Sequence, residues 1–300
     1  MTNRPKQPLV EVFGFPVQDL SEQAERYRRL KLCPFNNIVP NCTKDKANDP
    51  LGVCSINQAE STDEQTDIVI TCPIRFRQDW LIAEQAASFF FGNATAWTSL
   101  SEVRLKDKAG QSAGNIDLVL VAYDDRGRVI DFGALEVQAV YISGNVRKPF
   151  EYYMNDRPTR WNMDWSKLAD YYPRPDFLSS SRKRLVPQLI YKGGILKAWQ
   201  KKQAVALQRS FYETLPPLPE VKPEQAEIAW FLYDLQPQNG RFVLQLSKVV
   251  YTEFWAALNR ITTPEPSDIQ SFIDHLQFKL DEKQGGNAPD APVITDITLL

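Results

Sequence analysis

GNIDLVLVAYDDRGRVIDFGALEVQAVYISG, Gly114 to Gly144, is the stretch on which the fold turns. It holds two apolar runs separated by a charged turn. Ile116 to Tyr123 reads as one strand and Val129 to Tyr141 as a second. Asp124 to Gly127 suits a tight hairpin connection. The first strand carries Asp117, and the second carries Glu136 and Gln138. A strand period of two puts Glu136 and Gln138 on one face. A polar side chain in so apolar a strand needs a partner or a task. Two carboxylates and a nearby carbonyl are hard oxygen ligands suited to Mg²⁺, which polarises phosphate and activates bound water. The plain alternative is a hairpin with ordinary turn acids and one buried Glu bonded to backbone.

Outward from this hairpin, charge is distributed unevenly. The net charge is only −2, but residues 147–209 carry 14 Lys/Arg against 5 Asp/Glu, and residues 210–300 carry 6 against 13. A basic middle beside an acidic site is what a polyanionic substrate requires, although a charge block also makes a solvated helix face. Residues 142–187 interleave aromatics with Arg, Lys, Asn and Asp, a composition suited to grasping nucleic acid. The segment 142–209 is therefore the expected DNA-recognition region. Its candidate contacts are Arg147, Lys148, Arg157, Arg160, Arg174, Arg182, Lys183 and Arg184. Leu185 to Leu207 reads as a helix, weak at Gly193-Gly194, with Lys192, Lys197, Lys201 and Lys202 available for phosphates.

All four cysteines lie early: Cys33, Cys42, Cys54 and Cys72. No stretch resembles a signal peptide and no apolar run reaches membrane-spanning length, so the chain reads as cytoplasmic. Disulfides have little place there. Four thiolates flanked by prolines suggest a tetrahedral site for Zn²⁺ or Fe, although the spacings lack the CxxC knuckles of zinc fingers. The alternative is four free core thiols. His275 is the single histidine, which excludes paired-histidine nuclease centres and His-based triads unless it acts alone.

The 43% apolar content supports a sizeable core. Ser21 caps a short helix through Leu30. Cys33 to Ser55 is loop-rich, and Asp67 to Thr71 makes a short strand. Phe76 to Phe91 has helical spacing, carries Glu84 and ends at Gly92. Trp97 to Leu105 is a further strand, with Glu102 on it. Glu227 to Leu235 and Gly240 to Val250 are strands, Thr252 to Asn259 and Ser267 to Leu280 are helices, and Val293 to Leu300 is a last apolar stretch. The expected organisation is an N-terminal region over 1–75 with the cysteine knot, then a catalytic domain over 76–300.

GNIDLVLV followed by ALEVQAVYISGNVR, beside the four cysteines, resembles the NotI-type restriction endonucleases, a branch of the PD-(D/E)xK nuclease superfamily. The resemblance runs from about Cys33 to the 250s, and the chain length is similar to that of the shorter relatives cutting CGGCCG. It implies an α/β (α+β) restriction-endonuclease-like core, a central mixed sheet flanked by helices, with a small N-terminal metal-bound subdomain. Asp117 and Glu136 match the motif acids. Gln138 stands where the superfamily usually has Lys, a departure shared by NotI-like enzymes. Asp117, Glu136 and the Val137 carbonyl would hold Mg²⁺, with Glu84 as a further helical acid and Glu102 as its rival. Cys33, Cys42, Cys54 and Cys72 match a small iron-bound site, with Zn²⁺ the alternative. The resemblance further implies a homodimer of a bacterial restriction–modification system that cuts double-stranded DNA to leave four-base 5′ overhangs. A DNA-repair or transposition nuclease built on the same core is a rival reading. A non-enzymatic DNA-binding protein is another, though it has no use for carboxylates facing a polyanion. A redox protein leaves the basic aromatic region unexplained.

Overall fold

A computed structural model describes residues 6–46, 48–58, 68–92, 96–166 and 172–284. Asp67 and the stretch Val293 to Leu300 lie outside the described residues. The chain divides into residues 1–262 and 263–300, and each unit is described by itself.

The first unit opens with strands β1 (Leu9–Val12) and β2 (Phe15–Pro16). Helix α1 (Glu22–Arg29) starts at Ser21 as its sequence dictates, the Ser21 Oγ accepting the Ala24 amide at 3.3 Å. A small hairpin, β3 (Asp45–Lys46) with β4 (Asp49–Pro50), precedes β5 (Val53–Asn57) and β6 (Ile68–Ile70). The order β2-β1-β5-β6 makes a four-stranded sheet. The helix expected over Phe76 to Phe91 is in two parts. A 3₁₀ run, Pro73–Trp80, meets α2 (Leu81–Phe91) at a break where Asp79 and Trp80 take positive φ of 52° and 56°.

Next come β7 (Trp97–Lys106), β8 (Ser112–Tyr123) and β9 (Val129–Gln138), an antiparallel meander. Asp124 sets the β8–β9 turn by accepting the Arg126 and Arg128 amides at 3.0 and 2.8 Å. β9 stops at Gln138 rather than Tyr141. The Val140 amide turns aside to Ile70 O, and Tyr141–Ser143 forms β10, paired with β11 (Arg174–Asp176). Between these two strands lie α3 (Arg147–Asn155) and α4 (Arg157–Arg160), so the expected DNA-recognition segment contains helix.

Residues 177–198 form one helical run of alternating character. The α turns α5 (Phe177–Ser180), α6 (Val186–Gln188) and α7 (Gly194–Ala198) alternate with π turns at Ser181–Leu185 and Leu189–Gly193. The helix expected to reach Leu207 ends here, and Gln203–Gln208 is strand β12. After α8 (Arg209–Tyr212) come β13 (Ile228–Gln238), β14 (Arg241–Thr252) and α9 (Phe254–Thr262).

The principal sheet has the order β14-β13-β12-β9-β8-β7, with β12 parallel to both neighbours and the other pairs antiparallel. It is the mixed sheet flanked by helices that the family resemblance implies. β12 is buried throughout, as a central parallel strand must be. Its Ala204 and Ala206 pack with Ala83, Ala86 and Phe90 of α2. Its Val205 and Leu207 pack on the other face with Leu185 and Leu189 of the 177–198 run and with Phe254. Leu9, Val12 and Val53 join that second cluster, so the 1–75 region shares a core with the principal sheet. Arg75 fastens the two sheets, bonding Glu11 at 3.0 and 3.2 Å and Phe242 O at 2.8 Å, with both charged partners buried.

The second unit contains α10 (Ile269–Gln284), where His275 is exposed. Among the described residues no helix is long and apolar enough to cross a membrane.

Candidate active site

Leu118 pairs with Leu135 across β8 and β9, and one step along the register Asp117 stands opposite Glu136. Alternation sends Leu118, Leu120 and Leu135 towards α2. Val119, Val121 and Ala134 pack with Leu196 of the 177–198 run. Asp117 and Glu136 share that second face. The ladder ends at this point because the Asp117 side chain replaces it. Asp117 Oδ2 accepts the Val137 amide at 2.8 Å, so one carboxylate oxygen is fixed by backbone.

Glu136 is buried, with 8% exposure. Its Oε2 accepts from Lys192 Nζ at 2.6 Å. Its Oε1 is buried without a hydrogen-bond partner among the described residues. Burial first, and the neighbouring Asp117 carboxylate second, push its pKa up to about 8 despite the lysine. Such a group calls for more positive charge than the protein supplies. An orphaned carboxylate oxygen beside a second carboxylate fits a divalent cation with hard oxygen ligands.

Lys192 was not singled out by sequence from the other lysines of its segment. It is 4% exposed, and its ammonium also donates to Asn115 O at 2.7 Å and approaches Gln188 Oε1 at 3.5 Å. The signal was present in the spacing. Leu185, Leu189, Lys192 and Leu196 fall at i, i+4, i+7 and i+11, so Lys192 occupies a place in an otherwise apolar, core-facing stripe. The other three lysines have local partners. Lys197 pairs with Glu227, Lys201 with Asp131, and Lys202 donates to Phe89 O.

Gln138 is buried, and its Nε2 donates to Ala139 O at 2.7 Å. Glu84 lies exposed on α2, on the sheet face opposite to Glu136. Glu102 is nearer by register. It falls between the Ser101–Leu118 and Val103–Ile116 pairs, facing Asp117, in a left-handed conformation at φ 55°. A strained non-glycine residue at this place marks a site that its surroundings hold fixed. Among the described residues no group of three or more His, Cys, Asp or Glu side chains is drawn together tightly enough to hold an ion.

The basic candidates divide into two sets. Arg147 bonds Asp45 and Asp49 at 2.6 and 2.7 Å, Arg157 bonds Glu25 at 2.6 Å, and Arg160 lies over the Tyr152 ring. These arginines brace neighbouring segments. Lys148, Arg174, Arg182, Lys183 and Arg184 are exposed, and Arg184 lies over the Tyr141 ring just beyond β9.

The four cysteines are free thiols, with Cys42, Cys54 and Cys72 buried. Burial raises the thiol pKa of Cys33, Cys42 and Cys54, Cys33 to about 11, and the proximity of Cys72 adds to the effect on all three. The Lys44 ammonium lies among them, donating to Val53 O and Thr71 Oγ1. Four sulfur donors thus share one neighbourhood without closing into a coordination shell. Their chemistry fits a thiophilic ion, which stabilises the thiolate form that burial disfavours.

The family described as restriction endonuclease NotI matches residues 18–246, a span that holds every residue discussed for this site. Among curated proteins none matches the chain.

Proposed function

The chain belongs to the NotI restriction endonuclease family, and from that premise we propose that it is a type II restriction endonuclease. Its substrate is double-stranded DNA bearing a GC-rich palindrome, CGGCCG, cut to leave four-base 5′ overhangs. The observation that carries this reading is the Asp117–Glu136 pair with its unpartnered, buried Glu136 Oε1.

Asp117, Glu136 and the Val137 carbonyl would hold Mg²⁺. When bound, the ion supplies Lewis-acid activation of the scissile phosphate and of an attacking water. Asp117 presents a carboxylate whose other oxygen is fixed on the Val137 amide, so it needs little reorganisation on binding. Glu102 is better placed than Glu84 to complete the acid set. Gln138 orients water through its amide and carries no charge. Exposed Lys148, Arg174, Arg182, Lys183 and Arg184 bind DNA. Those that reach guanine O6 and N7 read sequence, and the rest hold phosphate. Arg147, Arg157 and Arg160 support this surface from behind. A palindromic target cut on both strands calls for a two-fold homodimer. The four cysteines would hold a structural ion, Fe in preference to Zn²⁺.

The test is incubation with Mg²⁺ and bacteriophage DNA followed by end sequencing of the fragments. Discrete fragments with ends inside one palindrome are expected. A smear, or structure-dependent nicking, would reject the restriction reading in favour of a repair-type nuclease.

A further inference from the structure

Gln138 is neutral, yet the site it borders is not without a cation. Lys192 Nζ stands 2.6 Å from Glu136 Oε2 and 2.7 Å from Asn115 O, two residues before Asp117. The lysine is therefore bonded to both strands that carry the acids. Its burial in this place is constructed by the surrounding chain. The ammonium is presented from the π turn Leu189–Gly193, an irregularity that shifts helix register and recurs at functional sites. Gly193 seats that turn on β12 and α9. A Cβ at Gly193 would lie 2.7 Å from Phe254 and 2.8 Å from the Gln203 side chain, while Gln203 Nε2 bonds Gly193 O at 3.1 Å.

We propose that Lys192 is the displaced cation of the catalytic centre, a positioning residue that delivers from the 177–198 helical run the positive charge that strand position 138 lacks. It fixes the Glu136 carboxylate through Oε2 and leaves Oε1 unpartnered. Residues 136 and 138 share one face of β9, so a lysine on the strand and a lysine from the helix converge on the same carboxylate. The chain thus reaches with its fold what a Lys two residues after the second acid reaches with local sequence. This inference rests on the proposed nuclease activity.

The experiment compares wild type, Lys192→Gln, Lys192→Met, Lys192→Met with Gln138→Lys, and Glu136→Ala in the full chain. Single-turnover cleavage of plasmid in Mg²⁺ is read beside DNA binding in Ca²⁺, Mn²⁺ affinity by calorimetry, and melting temperature. Loss of a preorganised charge contact is worth roughly 100-fold in rate. Lys192→Gln should lose about that much, with DNA binding unchanged and Mn²⁺ affinity altered. Gln138→Lys should restore at least tenfold to the Lys192→Met variant, an effect that a purely structural role for Lys192 does not produce. Wild-type cutting with Lys192→Gln equally active overturns the inference and leaves the nuclease reading standing. Lost activity without rescue by Gln138→Lys, in step with lost melting temperature, overturns it as well. A wild type that never cuts removes both.

Discussion

Asp117 accepts the amide of Val137, the residue that follows the acid opposite it, at 2.8 Å. One side chain both closes the β8–β9 ladder and aims a carboxylate at the site. Asp117→Asn keeps an acceptor for that amide and removes the charge, so it should abolish cleavage while unfolding within a few degrees of wild type. Asp117→Ala should also lose the bond, about 1 kcal/mol. Plasmid nicking and thermal melts on both variants separate the two roles.

Glu136→Ala should abolish cutting and leave DNA binding intact, because the side chain is buried and offers DNA no exposed contact. A nicking assay run beside a gel shift reads both. Retained cutting would sink the assignment of this acid.

Arg75 and Glu11 are a buried pair at the junction of two sheets. Arg75→Ala leaves the buried Glu11 without its main partner, at a cost of about 3–5 kcal/mol. The urea midpoint should drop accordingly. A shift no larger than that of a surface substitution would show that the junction does not depend on this pair.

Gly193→Ala places a methyl group against Phe254 and Gln203, and overpacking of this kind costs about 1–3 kcal/mol. Because Lys192 is the preceding residue, cleavage should fall more than stability does. Parallel melting and single-turnover measurements give the comparison.

Arg157 bonded to Glu25 holds that carboxyl below its ordinary value of 4.5, against the opposing effect of burial and with Arg28 assisting. A depressed folded-state value stabilises the protein above the ordinary value and ceases to do so as pH falls through the folded one. The melting-temperature gap between wild type and Glu25→Gln should be full at pH 7 and close as pH drops below 4.5. A gap independent of pH contradicts the ion pair.

Elemental analysis of purified protein should find one Fe or Zn per chain. Cys72→Ser should lose that metal and lower the melting temperature, since Cys72 lies near each of the other three. Two disulfides in place of metal would reject the site.

The meander and its two acids were legible because alternation and the Asp-Asp-Arg-Gly turn are local signals. The order of the sheet was not. β12 reads QAVALQ, whose Ala, Leu and Gln favour helix, and only two flanking strands make it extended. The break at Gln78 to Trp80 was equally hidden, since it depends on Gln78 bonding Arg75 and the Leu244 amide. Lys192 was visible as a residue, and its place in an apolar stripe was legible, but its partner lies on a strand that only the assembled fold brings near.

Parallel strands cannot be joined by a tight turn, and β12 is parallel to both its neighbours. The meander of β7 to β9 and the hairpin of β13 and β14 close over short loops, so they can form early during refolding. The seam between them waits for a distant segment, and that seam pairs Glu136 with Val205. Recovery of enzymatic competence should therefore lag behind recovery of strand content after dilution from denaturant. On this account the Asp117–Glu136 arrangement should be completed in the slowest step, when the two halves are stitched together.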